Sequence, residues 1–361
     1  MTFGEQGGRD EAAARVQDSG VQDRPEERTT IGLRDFLHMR DTPGAHRVAL
    51  RAGISVLVPQ LVLLALDRPQ WSLYAAFGAF TSLYGRNHVH LSRLAMQASA
   101  GAALTVSVVL GVLVGSLESR AWAAVPVAAA IAAGGAMLSG AQDWHPPGSL
   151  FLVFGFGAVA SFPHELSDLP IALLVTGTTV LFALVVGNAG AYLRRQRTDR
   201  PHLAPALTWE PVRYAVAALV SGAIATGIGI GHPYWATVAA VAPLSARGVT
   251  AQIVRAGHRM FGTVMGLLTS AGLLALGMSP VPIVLTVAVL QILAELFVGR
   301  NYGLALLFVT PMALLMGQIS APRPMGELLF DRGVETAIGV VVGGLIILLG
   351  VYRRRRLVST S

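Results

Sequence analysis

The chain has 361 residues, of which 53% are apolar and only 13% charged, against roughly 25% charged in an ordinary soluble domain. With a mean hydropathy of +0.59, it reads as a polytopic α-helical membrane protein rather than a pair of soluble enzyme domains. There is no cysteine, which excludes disulfides, iron–sulfur clusters and thiolate zinc sites. The net charge of +7 has to be accounted for by topology before nucleic acid is invoked.

Residues 1–46 form a polar tail without the apolar core of a signal peptide. Within it, Ile31, Leu33, Phe36 and Leu37 alternate with Arg34, Asp35 and Arg40. This is either a short helix on the membrane surface or an ordinary segment leading into the first span. Twelve apolar segments follow, at 48–66, 71–85, 94–117, 121–140, 149–162, 169–193, 212–230, 234–246, 260–278, 281–298, 302–320 and 333–352. The second, fifth and eighth are short, so ten crossings remain an alternative to twelve.

With the N-terminus in the cytoplasm, the outer loops hold Arg68, Arg120, Arg323 and Arg332. Most other arginines fall inside, including Arg40, Arg47, Arg194, Arg195, Arg247, Arg255, Arg259, Arg300 and Arg353–Arg356. This is the positive-inside pattern, and it explains the basic charge without nucleic acid. It predicts a multi-pass protein of the bacterial inner (cell) membrane with both termini cytoplasmic.

The linker 194–211 is rich in Arg and Pro and divides the membrane part into halves, 47–193 and 212–356, with 357–361 as a tail. Pro69 and Trp71 in the first half match Pro233 and Trp235 in the second, both at a spacing of 164. Tyr192-Leu193-Arg194-Arg195 at the end of one half matches Tyr352-Arg353-Arg354 at the end of the other. The expectation is about 12 transmembrane helices in two parallel six-span repeats, related by an axis along the membrane normal, with a pathway between them.

Segments 71–85 and 234–246 would reach roughly 20–22 Å as helices, short of the ~30 Å hydrocarbon core, and Pro243 interrupts the second. Short segments at matching places point to a transport site. The alternative is a locally thinned bilayer with Trp71, Tyr74, Tyr234 and Trp235 as interfacial anchors. Each short segment is followed by a basic stretch: Arg86, His88, His90 and Arg93 after the first, and Arg247, Arg255, His258 and Arg259 after the second. Guanidinium groups there would either draw in an organic anion or mark topology and touch lipid phosphate. Gln291 and Glu295 lie four apart on one helix face, and Arg300 is within reach of Glu295. Glu335 lies in the last span just after Asp331 and Arg332, and could couple transport to protons. Gly111/Gly115, Gly262/Gly266 and Gly339/Gly343 are spaced for close helix packing. Gly227-Ile-Gly229-Ile-Gly231 reads as part of an apolar span, and His145-Pro146-Pro147-Gly148 as a loop. No catalytic constellation, ATP motif, metal site or cofactor site is found, so no enzyme is expected.

The second half carries a family likeness. Gly231-His-Pro-Tyr-Trp235-Ala, Arg255-Ala-Gly-His-Arg259-Met-Phe-Gly262-Thr263, Tyr302 to Thr310-Pro311, and Arg332-Gly-Val-Glu335-Thr336 together resemble the signature of the FUSC (fusaric acid resistance protein-like) family of integral membrane transporters. The likeness covers about 212–352 and is weak in the first half. Glu335 stands where Asp is commoner in the family. The resemblance implies export of aromatic or other organic acids and, more distantly, a relation to plant malate-type anion channels. Many members carry a large soluble domain, and 194–211 leaves no room for one at that point. Taken together, the candidate pathway residues are Trp71, Tyr234, Trp235, Pro243, Arg255, Arg259, Thr263, Glu295, Arg300 and Glu335. The expected partners are the lipid bilayer and a small organic anion, with a homo-oligomer left open. The rival reading is a non-transporting membrane scaffold or assembly subunit.

Overall fold

A computed structural model of the chain describes residues 32–85, 90–189, 209–320 and 322–359; the polar tail to residue 31, Arg86, His88 and most of the central linker lie outside them. The described residues form thirteen α-helices and no strand. They are α1 (Leu33–Leu37), α2 (Ala45–Ala65), α3 (Ser72–Ala79), α4 (His90–Gly115), α5 (Arg120–Ala141), α6 (Leu150–Ala160), α7 (Leu169–Asn188), α8 (Trp209–Gly227), α9 (Tyr234–Leu244), α10 (Val249–Ala275), α11 (Pro280–Val298), α12 (Tyr302–Ser320) and α13 (Met325–Ser359). Seven are long and apolar enough to cross a membrane: α2, α4, α5, α7, α11, α12 and α13. Their outward faces are apolar, as Leu173, Leu174, Leu181 and Val185 on α7 and Val341, Leu345, Leu348 and Leu349 on α13 show. Such a surface is stable against lipid and not against water.

After the five-residue α1, the short helices are α3, α6 and α9, of 8, 11 and 11 residues. They are wrapped by longer neighbours, and α9 is buried without interruption from Trp235 to Leu244. A helix that is buried among others touches little lipid and need not match the bilayer thickness.

Corresponding helix pairs are in contact in the two halves. Helix α3 lies against α7 and α9 against α13; α4 contacts α6 and α7, as α10 contacts α12 and α13; α5 meets α6, as α11 meets α12. Contacts between the halves also pair: α2 with α11 and α8 with α5, α3 with α12 and α9 with α6. Val56, Ala76 and Ala79 meet Val287, Leu290, Met312 and Leu315 in one such seam. All three glycine pairs pack as their spacing suggests. A Cβ at Gly111 would stand 2.9 Å from the Phe156 carbonyl oxygen, one at Gly266 2.6 Å from Thr310 Cβ, and one at Gly343 2.7 Å from the Ala240 carbonyl oxygen.

Several boundaries differ from those read in the sequence. Helix α10 begins at Val249 rather than near 260, so Arg255, His258 and Arg259 are helical and not in a loop. A tight turn at Gly248, with φ +89, makes room for the early start. Helix α13 begins at Met325, so Asp331 and Arg332 lie inside it, and Arg332 is buried rather than in an outer loop. Pro243 sits in the last turn of α9 and ends the helix instead of interrupting it. Helix α8 stops at Gly227, and Gly229 takes φ +75 in the turn that follows. Helix α1 docks on protein: the Phe36 carbonyl accepts hydrogen bonds from His258 Nε2 at 2.8 Å and Asn301 Nδ2 at 2.9 Å, while Leu33 and Leu37 stay exposed.

A candidate anion site between the halves

Helix α10 places Arg255 and Arg259 one turn apart on the face that meets α12. At the start of α12, Asn301 Oδ1 accepts the Leu304 N–H at 3.1 Å, a local cap that fixes the first turn and with it Tyr302. The Tyr302 ring lies 4.1 Å beneath the Arg255 guanidinium, and Arg259 Nη1 donates to its hydroxyl at 3.1 Å. Arg259 is only 3% exposed. Holding an arginine at that depth is costly unless something meets its charge.

Both arginines line a cavity of about 230 Å³ at the seam of the two halves. Phe80, Phe151 and Phe154 close it from the first half, and Trp235 from the second. The aromatic groups form one cluster, with Phe154 and Trp235 centroids 4.6 Å apart and Phe80 and Phe151 5.3 Å apart. Gln291, Glu295 and Tyr302 complete the polar side. The chamber therefore combines an aromatic, apolar wall with guanidinium donors, the complement of an aromatic or aliphatic carboxylate.

The space continues on both sides. A basic vestibule of about 500 Å³ shares Arg255, Tyr302, His145 and Pro147 with the chamber and adds Arg40, Arg247, His258 and Arg300. On the other side, a cavity of about 50 Å³ shares Phe80, Phe154 and Trp235 and adds Tyr234 and His232. The neighbouring cavity is thus the larger on the arginine side and the smaller on the side of the aromatic cluster. A larger cavity of about 640 Å³, lined by Asp143, Arg213, Arg247 and Arg353, contains neither Arg255 nor Arg259 and none of the aromatic cluster; the site is assigned where these groups converge.

The structure thus brings together Trp235, Arg255, Arg259 and Glu295 in the chamber, with Tyr234 in the smaller cavity and Arg300 in the vestibule. Arg300 Nε donates to Thr42 Oγ1 at 3.3 Å. Thr263 is buried one turn from Arg259 on α10. Trp71 is half-buried under Arg68, away from the chamber, and Pro243 packs inside α9. Glu335 is fully buried and accepts the His232 backbone N–H at 3.0 Å. His232, in the loop between α8 and α9, has its imidazole pKa pushed down to about 4 by burial and then by the Arg323 charge, against the opposing pull of Asp331. Three features escaped the sequence reading. Phe80 and Phe154 look like ordinary span residues. The His145-Pro146-Pro147 loop forms part of the chamber wall. Arg332 lies 3.5 Å over the Trp235 ring, where its place just ahead of an apolar run suggested a topology marker.

Residues 217–346 match the family described as fusaric acid resistance protein-like, so the likeness read from the motifs holds over that segment. The "Uncharacterized membrane protein YvaC" of Bacillus subtilis (strain 168) is 29% identical over 151 residues, which is 42% of this chain and 23% of that protein. The matched part thus spans about a quarter of this curated relative's length. No solved structure matches the chain.

Proposed function

We propose that this membrane protein, with its fusaric acid resistance protein-like second half, is a secondary transporter or channel-like exporter of small organic anions, aromatic carboxylates among them, in the bacterial inner membrane. The observation that carries the reading is the chamber between the halves, in which Arg255 and Arg259 face a wall of Phe80, Phe154 and Trp235. Twelve spans in two parallel six-span repeats suit the paired helix contacts, and a substrate chamber on the axis between repeats suits that architecture. The N- and C-termini lie on the cytoplasmic side in this reading. The vestibule arginines draw the anion in, and Arg255 and Arg259 hold its carboxylate while its apolar body rests on the aromatic wall. In this reading the pinch at Phe154 and Trp235 closes the far side and the chamber opens inward.

The test is benzoate uptake into proteoliposomes by the wild type and by Arg259→Ala. Saturable uptake that falls about a hundredfold in the variant is expected, the size of losing a buried charge-assisted contact. Unchanged flux in a folded Arg259→Ala protein would remove the site. Because the chain has no cysteine, topology can be read from single exposed cysteines. Asp41→Cys should react with a membrane-impermeant reagent from the inner side and Ser279→Cys from the outer; labelling from one common side contradicts the topology.

A further inference from the structure

Arg332 is the buried cation least matched by its surroundings. It is 1% exposed, and none of its three guanidinium nitrogens has a hydrogen-bond partner among the described residues. Stacking on Trp235 satisfies the face of the guanidinium and leaves its in-plane N–H donors unmet. It is not alone. Arg259 Nε and Nη2, Thr263 Oγ1 and Thr310 Oγ1 are also buried without partners. Packing brings these groups to one level of the second half: Gly266 of α10 lies against Thr310 of α12, and Gly333 of α13 against Leu267 of α10. Thr263 is one turn from Leu267, and Arg259 one turn further inward, close enough for its charge to act on Arg332. Glu335 is the fold's own carboxylate nearby: its Oε1 accepts the His232 N–H, and its Oε2, buried without a partner, is a single acceptor oxygen against the nitrogens of two arginines and two hydroxyls. Several donors therefore converge with too few acceptors, and buried donors of this kind call for an anionic guest.

Arg332 is not on the chamber wall, whereas Trp235, which it covers, is. The indole thus stands between the chamber and the Arg332 guanidinium. Resting on the reading that the chamber binds an organic anion, we infer that Arg332, the free nitrogens of Arg259 and the hydroxyls of Thr263 and Thr310 form a second carboxylate-binding station behind Trp235. The anion reaches it from the chamber when the indole turns aside. Arg259 borders both places and hands the carboxylate from one to the other.

The experiment separates binding from passage. Benzoate binding is measured by titration calorimetry on purified protein, and uptake in proteoliposomes, for the wild type, Arg332→Gln and Arg332→Lys, each checked for monodispersity. Arg332→Gln should bind benzoate within about threefold of wild type, because the chamber is intact, yet move it at least about tenfold more slowly. Arg332→Lys, which keeps the charge, should recover part of the flux. Wild-type flux in Arg332→Gln, or a folded Arg332→Gln protein that loses binding and flux equally, overturns the second station. A wild type that neither binds nor moves benzoate contradicts the proposed function instead. The station is then tested by iodide quenching of Trp235 fluorescence in a protein with Trp71, Trp122, Trp144 and Trp209 changed to Phe. Saturable quenching abolished by Arg332→Gln supports it, and linear quenching indifferent to Arg332→Gln overturns it.

Discussion

The two halves share their helix contacts and differ in what they bury. Among the described residues, the buried charged side chains are Arg213, Arg259, Glu295, Arg332 and Glu335, all in the second half. The first half fills the matching interior with neutral groups: Tyr84 packs edge-on against Trp144, and Gln97 bonds to Asn188 and to the Tyr84 carbonyl. Buried charge costs stability and persists where it acts on something. The chamber records the difference: the first half contributes Phe80, Phe151 and Phe154, and the second contributes Trp235 together with the buried charges of Arg259 and Glu295.

The shared contacts should break equally in both halves. A side chain at Gly78 would run into the Thr176 carbonyl of α7, and one at Gly339 into the Ala236 carbonyl of α9. Gly78→Leu and Gly339→Leu should each abolish monodisperse protein on size exclusion, whereas Gly134→Leu, which has open space, should not. Survival of one and loss of the other would mean that the halves do not pack alike.

The chemistry should break unequally. Arg93, in the first turn of α4, donates to the Gly85 carbonyl, whereas Arg259 lies about three turns into α10. Arg93→Ala should leave benzoate flux within about threefold, against the hundredfold loss for Arg259→Ala. Equal losses would move the site onto the axis of a symmetric pore.

A smaller effect concerns α1, which docks on His258 and Asn301 of the second half. Phe36→Ala should loosen that contact by about 1 kcal/mol, seen as a roughly fivefold faster tryptic cut near Arg34 and Arg40 with flux retained. The smallest effect is on pH. Because the His232 pKa falls to about 4 in the folded protein from 6.5, the unfolded chain binds the extra proton between those values, and stability drops as pH falls through that window. The wild-type melting temperature in detergent should decline between pH 7 and pH 5 by a few degrees more than that of His232→Gln; parallel declines would contradict a neutral buried His232.

The architecture was legible where local pattern carries it. Pro233 and Trp235 ahead of a short apolar run mark α9, and the glycine pairs mark three helix contacts. The start of α10 was hidden because Arg255, His258 and Arg259 look like a polar loop. Its helical period was nonetheless present, since Gln252, Ala256, Arg259, Thr263, Gly266 and Ser270 form the buried stripe. Arg332 could not be read as buried, because its environment is set by Trp235, some hundred residues away in the chain. The chamber wall was hidden for the same reason: Phe80 and Phe154 gain meaning only when the first half closes over the second.

The central claim, an anion held between the halves, is tested most directly by the structure of the protein with 4-iodobenzoate, located by the anomalous scattering of iodine. The account places the iodine among Phe80, Phe154 and Trp235, with the carboxylate at Arg255 and Arg259. An iodine peak confined to the basic cavity by Arg213 and Arg353, or none inside the bundle at a saturating concentration, would contradict it.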